Sequence, residues 1–171
     1  MKLKFEAQIS AGNFKIYEES NINTPLYEVN VETGDKEHFK MKVSDENKNL
    51  LAQVIYKENV DRKWLMVNDY IIDNFETKEQ INVKAQRGQK LIVGKNNEMY
   101  LTRSPRDRKM QFYKNDKLIM TLKCKTIIRN WLKGKYIAEI LDEGCTLLCV
   151  CVIAITLNVI FDEHNCTSYT V

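Results

Sequence analysis

The sequence predicts a mainly β protein of about a dozen antiparallel strands closed into a barrel, with one hydrophobic α-helix enclosed near the C-terminal end. Three observations predict it. Before residue 142 the dominant hydrophobic period is two, the mark of strands with one dry and one wet face. Turn signals separate these segments at short intervals. Finally, GCTLLCVCVIAITLNVIF, from Gly144 to Phe161, is almost uninterruptedly apolar in a chain that is 29% charged.

In chain order, KLKFEAQI sets Leu3, Phe5, Ala7 and Ile9 against Lys2, Lys4, Glu6 and Gln8. FKIYEE and LYEVNV follow, and FKMKVS alternates Phe39, Met41 and Val43 with Lys40 and Lys42. LLAQVIY, WLMVN and YIIDNF lead to QINVKA, with Ile81, Val83 and Ala85 on one face, and then to KLIVG, EMYLTR and KMQFYK. KLIMTLKC carries Leu118, Met120, Leu122 and Cys124 on its dry side, and TIIRNW and KYIAEIL complete the series. Ala11-Gly12-Asn13, Thr33-Gly34-Asp35, Asn96-Asn97 and Asn115-Asp116 read as turns.

The last apolar run breaks this rhythm. Residues 145–161 place apolar side chains on every side of a helical wheel, with only Thr146, Thr156 and Asn158 polar. The run exceeds an ordinary strand, Asp142 offers an N-cap, and Glu143 suits the positive end of a helix dipole. A helix apolar all round has to be enclosed by lipid or by protein. The run falls short of the roughly 20 residues that span a bilayer. It is flanked by Asp142-Glu143 and Asp162-Glu163, with no adjacent lysine or arginine to anchor it. A barrel of half-dry strands supplies the alternative enclosure.

Composition bounds the rest. The chain has 171 residues, 44% of them hydrophobic, and suits one globular domain; with two prolines and no Ser/Gly-rich linker, no domain boundary is visible. A net charge of +3 is too small to mark a nucleic-acid binder. The five cysteines, Cys124, Cys145, Cys149, Cys151 and Cys166, are odd in number and three lie in the apolar run, unlike a secreted disulfide framework. MKLKFEAQIS lacks the apolar core of a signal peptide. A reducing, cytoplasmic setting with free thiols is expected, and the Asn165-Cys166-Thr167 sequon carries no weight.

Few residues carry chemistry. No phosphate-cradling glycine loop, GxSxG or HExxH motif occurs, and His38 and His164 read as surface residues. On a helix Cys145 and Cys149 share a face, but Cys151 lies about 200° around from Cys149, so three thiolates cannot converge on one metal. Asp142 and Glu143 stand about 25 Å from Asp162 and Glu163, beyond the roughly 5–10 Å of paired catalytic carboxylates. No catalytic residue, metal site or cofactor is expected. Two basic groups remain. TRSPRDRK places Arg103, Arg106, Arg108 and Lys109 around a proline-containing turn, and KCKTIIRNWLKGK offers Lys123, Lys125, Arg129, Lys133 and Lys135 beside Trp131. Arginines in a turn can fork around phosphate oxygens, and tryptophan beside lysines suits a lipid headgroup layer. A single secure aromatic is too few for single-stranded nucleic acid.

TIIRNWLKGKYIAEILDEG followed by TLLCVCVIAITLNVIFDEH, with the hairpin YKNDKLIMTLKCK before them, resembles the last strands and buried helix of the tubby-like superfamily. Within it the likeness is to LURP-one-related and phospholipid-scramblase-like proteins. It covers residues 110–164 and is only architectural before that. The resemblance implies a twelve-stranded barrel around a central helix. It also implies a non-catalytic module that recognises anionic phospholipid headgroups, peripheral at a membrane surface. Two alternatives stay open: a scramblase-like or tail-anchored protein whose 145–161 segment enters the bilayer, and a protein-interaction adaptor, for which Tyr169-Thr170-Val171 resembles a PDZ ligand.

Overall fold

A computed structural model describes residues 1–8, 13–32, 40–57, 69–86, 90–94, 98–104, 109–127 and 133–167. The chain runs β1 (Lys2–Gln8), β2 (Phe14–Glu18), β3 (Tyr27–Glu32), β4 (Lys40–Asp45), β5 (Leu50–Lys57) and β6 (Asp69–Asn74). It continues through β7 (Glu79–Gln86), β8 (Lys90–Val93), β9 (Met99–Ser104), β10 (Lys109–Lys114), β11 (Lys117–Ile127) and β12 (Lys133–Ile140). A single 3-10 turn (Glu143–Cys145) then leads into helix α1 (Thr146–Thr167). Every strand pairs antiparallel with its sequence neighbours, and β1 pairs with β12 from Lys2 opposite Glu139 to Gln8 opposite Lys133. The sheet is therefore a closed barrel with no free edge.

Closure creates the space that the helix fills. Leu3, Ile16, Val29, Val43, Val54, Val83, Val93, Phe112, Leu122 and Ala138 are among the strand residues with no solvent exposure, and all lie on the inner face. From Cys149 to Ile155 the helix side chains are likewise buried on every side, in one continuous cluster with the strands. The helix runs nearest β5 and β4, where β5 presents the small Ala52 beside Val54 and lets the helix backbone approach. Each large side chain so enclosed contributes about 1.5–3 kcal/mol. The hydroxyls among them are satisfied locally: Thr156 Oγ1 donates to the Val152 carbonyl at 2.7 Å, and Thr146 Oγ1 to the Glu143 carbonyl at 2.7 Å.

Several expectations are refined. Asp142 is an N-cap, but of the 3-10 turn: its Oδ1 accepts from the Gly144 N–H at 3.2 Å, and the α-helix begins four residues later, at Thr146. The helix continues past Phe161 to Thr167, because no glycine or proline stops it there. KLIMTLKC and the start of TIIRNW form one strand, β11, bent by an irregularity between Cys124 and Thr126. WLMVN and the Gly12, Gly34 and Asn96-Asn97 turn signals lie outside the described residues. Asn115-Asp116 does close the β10–β11 hairpin, with φ of 49° and 60°, the left-handed pair that a two-residue type I′ turn needs. Two further turns have no glycine at all. Asp45 accepts from the backbone N–H groups of Asn47 and Asn49, and Asn74 from those of Glu76 and Thr77; these side-chain bonds support Lys48 and Lys78 at φ of 65° and 57°.

Aromatics on β1, β2 and β12 pack together inside the barrel. Phe5 stacks on Tyr136 with ring centroids 5.2 Å apart and packs obliquely on Phe14 at 5.5 Å. Gly134 makes this possible, since a Cβ there would stand 2.6 Å from the Tyr136 ring. Two outcomes follow. Val152→Asp, which buries an unpaired carboxylate, costs on the order of the whole folding free energy and leaves no cooperative thermal transition by circular dichroism. Gly134→Val displaces Tyr136 and lowers stability by about 1–3 kcal/mol in urea titrations; an unchanged midpoint in either variant contradicts this packing.

Candidate functional site

An up-and-down barrel sorts its connections to two ends. β9 to β12 are successive neighbours in the barrel, and β9 and β11 end, and β10 and β12 begin, at the end opposite the helix entry. The described members of the two basic groups, separate in sequence, thus lie on neighbouring strands.

Their arrangement follows from register. Lys109 opens β10 and pairs directly with Lys123 on β11; Lys123 in turn pairs with Ile137 on β12, and Ile137 with Lys4 on β1. Directly opposed residues have Cβ atoms about 4.5–5.5 Å apart, so Lys109 and Lys123 form a like-charged pair on the outer face. Lys123 is exposed and Lys109 half-buried, and among the described residues neither has a carboxylate in ion-pair range. Their flanking lysines are paired: Lys4 Nζ lies 2.8 Å from Glu19, and Lys135 Nζ lies 3.0 Å from Glu6. Both pairs are solvent-exposed and worth at most about 1 kcal/mol.

The other expected residues are placed only in part. Arg103 lies within β9 and not in the turn, opposite Met110, while Lys109 faces Ser104. Arg103 and Lys109 thus stand near the facing ends of β9 and β10, on either side of the connection that holds Pro105. Lys133 opens β12 opposite Gln8, and Lys125 sits at the β11 irregularity. The side chains of Arg103, Lys125 and Lys133 lie outside the described set, as do Arg106, Arg108, Arg129 and Trp131 altogether. Lys4 was not foreseen, because nothing local reveals that the first strand lies beside the last. Toward the helix entry the same wall continues with Thr121, Gln111 and Thr102 in register, then with Tyr113 and Tyr100 stacked at 5.1 Å. The Tyr100 hydroxyl donates to Asp116 at 3.0 Å, which raises its pKa.

Of the described thiols, Cys145 lies at the other end, Cys149 and Cys151 lie in the interior, and half-buried Cys124 packs against the core from β11. Lys114 Nζ donates to Cys145 Sγ at 3.6 Å, and that thiol is within 3.6 Å of Asp142 Oδ2. Cys149 and Cys151 are fully buried. Burial, reinforced by neighbouring Cys145, holds the Cys149 thiol far above its ordinary value, and burial pushes Cys151 up to about 12. These are packing residues. His38 lies outside the described residues, and His164 and Cys166 lie in α1 without described side chains.

The raised thiols fix a pH dependence. The unfolded thiols titrate near 9.0 whereas the folded ones stay protonated. Above that pH the unfolded state releases protons that the folded state keeps. Their stabilisation is therefore complete below pH 9 and is lost as pH rises toward the folded values, by about 1.4 kcal/mol per unit for each cysteine. The urea midpoint should fall between about pH 8 and about pH 10.5, less steeply in Cys149→Ala/Cys151→Ala; equal slopes refute the assignment. Comparison of the chain with models of known protein families, with curated proteins and with solved structures finds no match.

Proposed function

We propose that this chain is a non-catalytic binding module of the tubby-like kind, docking reversibly on anionic phospholipid headgroups through the wall formed by the far ends of β9–β12. The observation that carries the reading is the direct opposition of Lys109 and Lys123 on the outer face, without a described carboxylate to neutralise them. Like charges in opposed positions are unfavourable, and a phosphate between them converts repulsion into two charge-assisted contacts. Lys135 stands on the same wall, with Arg103, Lys125 and Lys133 in the adjoining strand ends.

The peripheral mode is favoured over insertion of the C-terminal segment because residues 149–155 are already packed against the barrel. Among the described residues no helix is long and apolar enough to cross a membrane. Each well-placed lysine contributes about 1 kcal/mol at an anionic surface, attenuated by salt.

In flotation at low salt, phosphatidylcholine vesicles containing phosphoinositide should recover the protein and pure phosphatidylcholine vesicles should not. Lys109→Glu/Lys123→Glu removes about 2 kcal/mol or more of this attraction, some thirtyfold in partition, with the thermal midpoint retained. Equal recovery on the two vesicle types, or an undiminished double variant, refutes the proposal.

A further inference from the structure

Lys109 and Lys123 are opposed on adjacent strands, with Cβ atoms about 4.5–5.5 Å apart. What surrounds them is neutral or already balanced. Ser104 stands opposite Lys109 on β9, and Ile137 opposite Lys123 on β12. One step along the ladder, Thr102, Gln111 and Thr121 continue the outward positions of the three strands without a charge. The first charged residues met in register are Glu139, opposite Thr121, and Lys4, opposite Ile137. Glu139 has Lys2 on its other side, Lys4 is held by Glu19, and Lys135 is held by Glu6. Among the described residues no carboxylate lies in ion-pair range of Lys109 or Lys123. Two positive charges are thus concentrated within reach of a single ligand.

Such a pair distinguishes two kinds of anionic headgroup. A phosphodiester carries one negative charge on two free oxygens, enclosed between two alcohols. A phosphomonoester is terminal, presents three free oxygens and carries about −1.5 to −2 charges at pH 7. Each lysine ammonium has three donors on a flexible four-carbon stem, so both can converge on the open side of one monoester. The two charges are then matched. On a diester one ammonium stays uncompensated beside the other, and their repulsion persists.

We propose that the Lys109–Lys123 pair selects membrane phosphomonoesters, of which phosphatidic acid is the simplest, over phosphodiester lipids of equal surface charge. The selectivity presupposes that the wall docks on lipid, and adds that charge per headgroup, not charge per area of membrane, decides recruitment. A dependence on pH follows. A phosphomonoester takes up its second proton near pH 6, and the preference vanishes as pH falls through that value. The protein's own groups around the pair, Lys2, Lys4 and Lys135 with Glu6, Glu19 and Glu139, act on both lipid types alike.

The test floats the full chain with phosphatidylcholine vesicles containing either phosphatidic acid or phosphatidylglycerol, their contents adjusted at each pH to equal electrophoretic mobility. At about pH 7.5 partition onto phosphatidic acid should exceed that onto phosphatidylglycerol by about tenfold, and at about pH 5 the two should agree within about twofold. Lys109→Gln/Lys123→Gln should lose the preference while keeping the thermal midpoint and, through the remaining cations of the wall, part of the recovery on both vesicle types. Glycerol 3-phosphate, the same monoester without a membrane, should not release the protein from phosphatidic acid at about 1 mM. Equal recovery on the two charge-matched vesicles, with both above pure phosphatidylcholine, overturns the selectivity and leaves headgroup docking intact. Recovery on neither overturns both. A preference that survives in the double variant, or at about pH 5, overturns the assignment to the charge of this pair. Release by glycerol 3-phosphate assigns the pair to a soluble phosphomonoester and overturns the membrane source.

Discussion

A helix with no polar side cannot rest on a surface; it must be surrounded, and the rest of this molecule is arranged around that requirement. One open sheet covers one side of a helix. Only closure, by pairing β1 with β12, surrounds it. The seam joins residues far apart in the chain: Ile140 N–H donates to the Met1 carbonyl at 2.8 Å, and the terminal amine donates back to the Ile140 carbonyl at 2.8 Å. Such non-local pairing is entropically slow to form, and the buried helix is what rewards it. Neither half is stable alone, since the strands without the helix line a void and the helix without the strands exposes a dozen apolar side chains.

The division of labour over the surface follows from the same geometry. Because inner-face positions are committed to the helix, chemistry is confined to outward strand positions and to the two sets of connections. Antiparallel succession sends alternate connections to opposite ends, so residues distant in sequence meet. Lys109 and Lys123 become opposed across β10 and β11, with Lys4 two strands on. Leu50 and Phe75 meet through adjacent hairpins at the other end. The row of Gln111, Thr121 and Thr102 lies between the lysine pair and the stacked Tyr100 and Tyr113, separating a charged end of the wall from an aromatic one.

How much of this is legible without coordinates depends on whether the signal is local. Alternation in KLKFEAQI or KMQFYK is a property of a few consecutive residues, and those strands stand where the pattern places them. The enclosed helix was equally legible, because an all-round apolar run has few possible environments. The turns at Lys48 and Lys78 were hidden: their left-handed φ is supported by Asp45 and Asn74 side chains, not by glycine. The site was the least legible part. Lysines are read locally as two groups on loops, whereas register decides which of them face each other, and register across β10–β11 shifts at Phe112/Tyr113. A reading that counts alternation through that irregularity assigns the wrong partners.

The opposition of two lysines also has an energetic consequence for the fold. It sits at the far end of β10 and β11, beside the place where the neighbouring β11–β12 ladder is interrupted between Cys124 and Thr126. Repulsion of a few tenths of a kcal/mol to about 1 kcal/mol acts there on a sheet end, not on the core. A ligand that neutralises the pair acts on the same local equilibrium, favouring the closed ladder by as much as it favours its own binding. Because the core is complete without this pair, the wall can carry the unfavourable charge without endangering the barrel. The enclosed helix supplies the stability, and the surface is thereby free to keep a like-charged pair.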